Sequence, residues 1–433
     1  MRTFLIIWIG QLVSLLGSEM TNFALTIWAW EVTKQATPLS LILFFTQTPR
    51  IIAALFAGVL VDKMNRKKLM LLGDSVAGFS TIAILLLFLT NNLQIWHLYL
   101  SAAVNGLFGY LQGLAYSTSL SLIVPKQHYA RATALNGIQM SGSYILAPAL
   151  AGAFYSLIGL VGILTIDIIT FSIAISTLIF ISIPQPKNSQ VTHRTIQSYW
   201  GELTFGFRYL FRYPGLLAIL AFWLGNNLIS SINFAILPAM LLARSGNDST
   251  MLGTLMTTFG IGGLLGGVTI SIWGGPKPRI HGLLIGNAIW KLGLLTLSLA
   301  QGIYLKIIAA FVSGFSSPFP SSCNQAIWLS KVEPDIQGRV FAARFIIAQI
   351  PTSLGAAVAG LLADNFFEPA MRTDGILAPI FGDIFGTQIG AGMALMMAIL
   401  SICGAFMAFG GYAFPLLRDV EKTLPDYDIN ASK

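Results

Sequence analysis

The chain contains 433 residues, of which 55% are hydrophobic and only 10% are charged, and its net charge is +8. In a soluble domain roughly a quarter of the residues are charged, so this composition excludes a soluble globular protein. The basic residues lie in short connectors between long apolar stretches, which favours a role in membrane orientation over nucleic-acid binding.

The apolar stretches are long enough to cross a bilayer and predict twelve membrane-spanning helices in two sets of six. The first stretch contains Gln11 and Glu19 and is too long for a signal-peptide core, so it is predicted to be an uncleaved helix. The first set is predicted near residues 4–30, 38–62, 68–90, 96–122, 132–157 and 160–183. The second set is predicted near residues 215–243, 250–273, 280–301, 304–328, 339–363 and 387–416.

This segmentation predicts four parts, namely a six-helix bundle (1–183), a polar connector (184–214), a second six-helix bundle (215–417) and a charged tail (418–433). Most lysines and arginines fall in connectors that share one side of the membrane with both termini. The positive-inside rule therefore predicts that the termini, the connector and the tail are cytoplasmic. Short polar connecting segments without appended domains favour a bacterial inner membrane.

Internal similarity predicts that the two sets of helices are repeats. The stretch 121–125, a serine followed four residues later by a proline, matches the stretch 330–334, and Gly58 matches Gly267 at the same sequence separation. Each pair also occupies the same place in the order of helices. Duplicated halves of this kind are typical of secondary transporters that work by alternating access.

The connector after the second predicted helix contains GVLVDKMNRKK, which begins at Gly58. Its pattern of a glycine, an acid four residues later and then basic residues resembles the loop motif of the major facilitator superfamily. The stretches IGQLVSLLGSEMTNFAL and QGRVFAARFIIAQIPTSLGAAVAGLLAD are similar to the macrolide-efflux-like branch of drug:proton antiporters, which also includes siderophore exporters. The resemblance implies an all-α membrane protein with two pseudo-symmetric six-helix bundles.

The same resemblance implies a conformational latch on the cytoplasmic side. Gly58 permits close approach of a neighbouring helix, and Asp62 can accept hydrogen bonds at the positive N-terminus of that helix. The predicted latch residues are Gly58, Asp62, Arg66, Lys67, Asp74 and Arg339. The alternative is that the basic cluster only fixes the topology.

Ionisable side chains inside a span are costly, so each is a functional candidate. Glu19, in the middle of the first predicted helix, is the first candidate for proton coupling, and Arg50 and Asp167 are the others. A buried polar network is the alternative for Glu19, and a packing salt bridge is the alternative for Arg50. For Asp167 and Lys291, a bundle-interior pair or a snorkelling side chain is as plausible as a transport role.

In the superfamily, the first, fourth, seventh and tenth helices line the substrate cavity. Aromatic rings and amides suit amphiphilic ligands, because apolar contact supplies affinity and polar groups supply orientation. The candidates on these helices are Gln11, Asn22, Asn105, Gln112, Tyr116, Asn226, Asn227, Asn324, Gln325 and Trp328. Ordinary helix packing is the alternative for most of them.

Two glycine-containing segments are interpreted as helix surfaces. Gly142, Pro148 and Gly152 in the fifth predicted helix partly resemble the antiporter motif of drug exporters, although Ala147 replaces the glycine before the proline. The run GIGGLLGG at residues 260–267 lacks the Lys-Ser/Thr of a nucleotide loop and is predicted to pack against another helix.

The sequence predicts a secondary active transporter that is not an enzyme and uses no metal or cofactor. It has no paired acids or metal-ligand cluster at bilayer depth and no phosphate-binding loop. The predicted activity is proton-coupled efflux of amphiphilic, macrolide-like small molecules by a monomer, with protons, the substrate and the lipid bilayer as partners and no nucleic acid. The alternatives are a dedicated exporter of a siderophore or lipid-like metabolite, and a non-transporting sensor on the same fold.

Overall fold

The computed structural model describes residues 2–181, 205–206 and 208–424, and all regular structure in these residues is helical. The helices before the connector are α1 (Arg2–Thr33), α2 (Ala36–Lys63), α3 (Arg66–Leu89), α4 (Ile95–Ile123) and α5 (Tyr129–Phe180). Those after it are α6 (Pro214–Arg244), α7 (Ser249–Trp273), α8 (Arg279–Leu299), α9 (Ile303–Ser316), α10 (Pro318–Lys331), α11 (Pro334–Leu362), α12 (Glu368–Met371), α13 (Ala378–Phe385), α14 (Ala391–Gly410), α15 (Pro415–Arg418) and α16 (Val420–Thr423). Most of the predicted connector 184–214, and the tail from residue 425, lie outside the described residues.

Among the described residues, ten helical segments are long and apolar enough to cross a membrane. One of them, α5, contains two crossings, because Gly159 has a φ of 63° and interrupts the helical backbone. This positive φ favours glycine and divides α5 into a first arm (129–158) and a second arm (160–180). The ten segments do not include α4, whose 29 residues span about 44 Å and are long enough to cross the membrane. With α4 and both arms of α5 counted, the described residues supply the twelve crossings predicted. The all-α membrane fold is confirmed.

The tenth and twelfth predicted helices differ most from the structure. The segment predicted at 304–328 forms two helices, α9 and α10, which meet at Ser317 because Pro318 begins a new helix. The segment predicted at 387–416 contains α14, which begins only at Ala391 after Gly390 in a left-handed conformation.

The chain forms two compact units. Unit 1 comprises residues 1–192 and 241–257, and unit 2 comprises residues 193–240 and 258–433. Unit 1 therefore includes the end of α6 and the beginning of α7 as well as α1 to α5. The predicted domains follow chain order, whereas these units follow packing.

In unit 1, α1 lies close against the second arm of α5. A Cβ atom at Gly10 would lie 2.6 Å from the Thr177 hydroxyl, and one at Gly17 would overlap the Thr170 hydroxyl. Glycine therefore permits the short distance between these helices at two points that are two turns apart. This close packing brings the polar residues of α1 to the carboxylate of Asp167.

In unit 2, α8 is the central helix and packs against α9, α10 and α14. The run GIGGLLGG is a packing surface, as predicted. A Cβ atom at Gly262 would lie 2.5 Å from the Phe311 carbonyl oxygen, and one at Gly266 would overlap the Phe315 carbonyl oxygen. The backbones of α7 and α9 are therefore in direct contact.

One contact recurs in both units at equivalent positions of the two repeats. Arg66, the first residue of α3, donates to the Thr118 carbonyl of α4 at 2.7 Å. Arg279, the first residue of α8, donates to the Ala326 carbonyl of α10 at 3.0 Å. The recurrence agrees with the internal repeat read from the sequence.

The described part of the tail is bound to unit 2. The Ile280 amide at the beginning of α8 donates to the Glu421 carboxylate at 2.8 Å, and Lys331 donates to the Glu421 carbonyl at 2.9 Å. The hydrogen bond from Arg418 lowers the pKa of the half-buried Asp419 carboxyl below its usual value.

Candidate functional site

Glu19 lies in a cluster of polar side chains within unit 1. Asn22, one turn further along α1, places a polar side chain beside its carboxylate, and Arg50 of α2 lies within electrostatic range. The Arg50 guanidinium is 5.9 Å from the centre of the Tyr110 ring of α4. Tyr144 of α5 is 55% exposed and interacts electrostatically with both Glu19 and Arg50. Four helices thus bring a carboxylate, a guanidinium and two phenol rings together.

Asp167 lies deeper in the same unit and is only 3% exposed. Ser18 of α1 donates to its carboxylate at 3.1 Å and Thr81 of α3 at 2.8 Å. No described basic side chain forms an ion pair with Asp167. Hydroxyl donors from two helices therefore replace a counter-charge, and Asp167 connects α1 and α3 to the second arm of α5.

Asp74 forms a second buried network with two glutamines. Gln11 of α1 donates to one carboxylate oxygen at 2.8 Å, and Gln112 of α4 donates to the other at 3.2 Å. Gln112 also donates to the side-chain oxygen of Gln11 at 2.7 Å. The network joins α1, α3 and α4, and Asp74 is 9% exposed.

We expect Gln112→Ala to lower the free energy of unfolding by about 1–3 kcal/mol, because it leaves Asp74 and Gln11 each without one buried partner. The network also predicts non-additivity, since Gln11→Ala and Gln112→Ala remove overlapping contacts. The measurement is the thermal unfolding midpoint of the purified single and double variants, with the exposed Gln127→Ala as control. Strictly additive effects would show that the three side chains do not act together.

The described latch residues each contact their own unit. Arg66 binds the Thr118 carbonyl, Lys67 donates to the Ile179 carbonyl at 2.9 Å, and the Arg339 guanidinium lies 4.8 Å from the centre of the Phe205 ring. A Cβ atom at Gly58 would meet no atom within 4 Å. The side chain of Asp62 lies outside the described residues, so the latch stays a prediction.

Two of the three residues of the fifth-helix motif form a close contact within unit 1. A Cβ atom at Gly152 would lie 2.7 Å from the Ser249 carbonyl oxygen, and one at Gly253 would overlap the Pro148 carbonyl oxygen. Ser249 also donates to the Gly152 carbonyl at 3.1 Å. The beginning of α7 therefore packs backbone to backbone on α5, whereas a Cβ atom at Gly142 would meet no atom within 4 Å.

The remaining cavity candidates of unit 1 are held by polar contacts. Asn105 donates to the Ser101 hydroxyl at 3.2 Å, and the Tyr116 hydroxyl donates to the Asn136 side chain at 3.1 Å. Asn22 belongs to the Glu19 cluster. Gln11 and Gln112 bind Asp74, so their amides are already occupied in this conformation.

The cavity candidates of unit 2 are mostly buried. Trp328 is 0% exposed and donates to Asn324 at 3.0 Å, and Asn226 is 2% exposed. Asn227 donates to the Ala348 carbonyl at 2.9 Å, and Gln325 accepts from Arg344 at 3.0 Å. A role for these side chains in substrate binding stays a prediction.

Sequence reasoning did not assign Ser18, Thr81 or Tyr144 to the site. Hydroxyl-bearing residues on separate helices give no sequence signal of a shared partner, because their meeting depends on how each helix is rotated. Tyr144 lies inside the fifth-helix segment, where the glycines and the proline carry the stronger sequence pattern. Its position two residues after Gly142 is the available signal.

Residues 7–235 match the family described as Major Facilitator Superfamily. The chain belongs to the major facilitator superfamily. It is 26% identical over 366 residues to macrolide efflux protein A of Streptococcus pyogenes, covering 84% of this chain and 89% of the relative. It is also 26% identical over 302 residues to macrolide efflux protein A of Enterococcus faecalis, covering 69% of this chain and 92% of the relative. The resemblance read from the sequence is confirmed.

Solved structures agree on the fold. A variant of the nucleoside transporter NupG superposes with a TM-score of 0.71 at 14% identity, covering 94% of this chain and 98% of that one. The D-xylose-proton symporter gives a TM-score of 0.64 at 12% identity, covering 93% and 96%. With the family match and the membrane-spanning helices, the chain is a multi-pass membrane transporter of the superfamily.

Proposed function

We propose that this transporter exports amphiphilic, macrolide-like small molecules in exchange for protons by alternating access. The names of the relatives in Streptococcus and Enterococcus support the efflux direction and the substrate class. The proposal includes cytoplasmic termini, which the distribution of basic residues favours, together with a location in a bacterial inner membrane and a monomeric state.

The Glu19 cluster carries the coupling part of the proposal. Glu19 is partly exposed inside a membrane span, whereas Asp167 and Asp74 are buried beneath hydrogen-bond donors. A coupling carboxylate must exchange protons with water and must also sense the charge of its neighbours. Its partial exposure favours Glu19 for this role, and so does Arg50, which gains or loses a counter-charge as Glu19 titrates.

The same cluster suits an amphiphilic substrate. Tyr110 and Tyr144 offer aromatic faces, and Asn22 and Arg50 offer polar groups of different charge. Large apolar molecules that carry a few hydroxyl or amine groups match such a surface. Arg50 also keeps open the alternative of an anionic substrate, such as a siderophore.

The test is accumulation in inside-out membrane vesicles with the interior acidified. Radiolabelled erythromycin is the macrolide probe, with a ferric siderophore and a fluorescent phospholipid as alternatives. We expect uptake of erythromycin that rises with the imposed pH gradient and disappears with a protonophore. Uptake of the siderophore or lipid alone would favour a dedicated exporter, and saturable erythromycin binding without flux would favour a sensor.

A further inference from the structure

Lys291 is a fully buried cation in the middle of α8 in unit 2. It is 0% exposed and lies about 18 Å from the first residue of its helix. No carboxylate among the described residues forms an ion pair with it. An unpaired ammonium at this depth is costly, so a residue that only filled space here would be expected to be apolar.

Ser230 of α6 is the hydrogen-bond partner of Lys291. The Nζ–Oγ distance is 2.6 Å, and the Ser230 hydroxyl lies 3.4 Å from the side-chain oxygen of Asn226. A hydroxyl both donates and accepts, so this contact suits either protonation state of the lysine. The ammonium donates to Ser230 Oγ while the hydroxyl donates to Asn226, and the neutral amine accepts the hydroxyl proton instead.

The surroundings contain further polar atoms that lack partners. Asn287, one turn before Lys291 on the same face of α8, is fully buried, and neither its amide nitrogen nor its oxygen has a partner among the described residues. The side-chain oxygen of Asn233 is likewise buried and unpartnered, while its amide donates to Ser401 of α14 at 3.4 Å. Buried polar groups without a protein partner are the usual binding places of internal water, so water can reach the surroundings of Lys291.

A glycine on α14 leaves room for the side chain of Lys291. Gly404 of α14 faces its methylene groups, and a Cβ atom there would lie 3.0 to 3.1 Å from three of them. The Nζ atom also lies 4.3 Å from the centre of the Trp290 ring, which stabilises the cationic form. The pocket therefore accommodates both forms of the side chain without an acidic partner.

The titratable groups on the packed helices lie elsewhere. Among described residues, α14 carries only Cys403, and α6 carries only Arg244 at its last position. On α9 and α10, Lys306 lies near the beginning of its helix, and Lys331 donates to backbone carbonyls of the tail. Tyr304 of α9 is exposed, and Cys323 of α10 packs beside Gly282, more than two turns before Lys291 on α8.

The beginning of α8 carries the remaining groups. His281 pairs with Tyr412, Glu421 of α16 accepts from the Ile280 amide, and Lys422 lies beside Asp419. The contacts of His281 and Glu421 thus lie at the first turn of α8, well over two turns before Lys291. Among the residues that the structure describes on these helices and in the tail, no other titratable side chain contacts Lys291.

We propose that Lys291 is a second proton-carrying site of the transporter, in unit 2, with Ser230 as its hydrogen-bonding relay. The ammonium releases one proton to water when the site opens, and the resulting amine takes one from the opposite side after the conformational change. Full burial in this conformation separates the proton from solvent, as a carrier requires to avoid a leak. The inference rests on the proposed proton exchange and adds one proton per cycle to that of Glu19.

The test measures the static accumulation ratio of erythromycin in proteoliposomes, at one pH unit of gradient and with the membrane potential clamped at zero. Two protons per substrate support a ratio of about a hundredfold, and one proton supports about tenfold. We expect Lys291→Met and Lys291→Gln to lower the ratio by about tenfold while gradient-free erythromycin exchange remains. Lys306→Met, which removes another buried lysine of unit 2, is the matched control and should keep the wild-type ratio.

A wild-type ratio in either Lys291 variant would overturn the inference, and so would loss of exchange in both, because Lys291 would then be a structural residue. Failure of the proposed function gives a different result. In that case the wild-type protein itself would show a ratio that does not respond to the pH gradient.

Discussion

Glu19→Gln is expected to lower the static accumulation ratio of erythromycin by about tenfold at a gradient of one pH unit, while exchange without a gradient continues. One proton moved down one pH unit and a tenfold concentration ratio each correspond to about 1.4 kcal/mol, so each lost proton removes a factor of about ten. Glutamine keeps the size and a polar end of the side chain, but it carries no charge beside Arg50 and cannot take up or release a proton.

The matched control is Glu31→Gln, which changes another carboxylate of the same helix. Glu31 is exposed near the end of α1 and accepts from the Tyr155 hydroxyl at 2.6 Å. We expect this variant to accumulate erythromycin like the wild-type protein. An unchanged ratio in Glu19→Gln would remove Glu19 from the coupling mechanism.

Gly266→Ala should be among the most destabilising small substitutions in unit 2, costing about 1–3 kcal/mol of unfolding free energy. The added Cβ atom would overlap the Phe315 carbonyl oxygen, and backbone cannot move aside as a flexible side chain can. Gly314→Ala should behave alike, because its Cβ atom would overlap the Phe259 carbonyl oxygen on the facing helix.

Gly263→Ala provides the control within the same glycine run. Its Cβ atom would lie 3.7 Å from the nearest atom, the Gly314 carbonyl oxygen, which is an ordinary contact. Replacing this glycine by alanine in a helix should be neutral or stabilising by about 0.5–1 kcal/mol. Thermal unfolding of the purified variants in one detergent measures the difference, and equal midpoints for Gly263→Ala and Gly266→Ala would contradict the packing described here.

The number, order and approximate position of the membrane crossings could be predicted from sequence because apolar length decides which segments enter a membrane. The boundary between the fifth and sixth crossings, near residue 159, could also be predicted. The sequence did not show that Gly159 alone separates the two arms, with no loop between them. The break at Ser317 was missed, because an apolar stretch continues through it and Pro318 alone does not decide between a kink and a new helix.

The candidate site was less predictable than the fold. Glu19 and Asp167 could be selected because charge inside a span is rare, but their partners could not. Asp74 shows the difficulty. Its place after the basic connector predicts a latch residue, whereas in the structure two glutamines donate to its carboxylate. Such contacts depend on helix rotation and tilt, which hydropathy does not encode.

The most direct test of coupled exchange is proton movement driven by substrate. Proteoliposomes containing a pH-sensitive dye are loaded with erythromycin and diluted into substrate-free buffer without an initial pH gradient, with the membrane potential clamped at zero. The account predicts that erythromycin leaving through the protein draws protons inward, so that the interior acidifies, and that Glu19→Gln reduces this signal. Erythromycin efflux through the wild-type protein with no change in interior pH would contradict proton exchange.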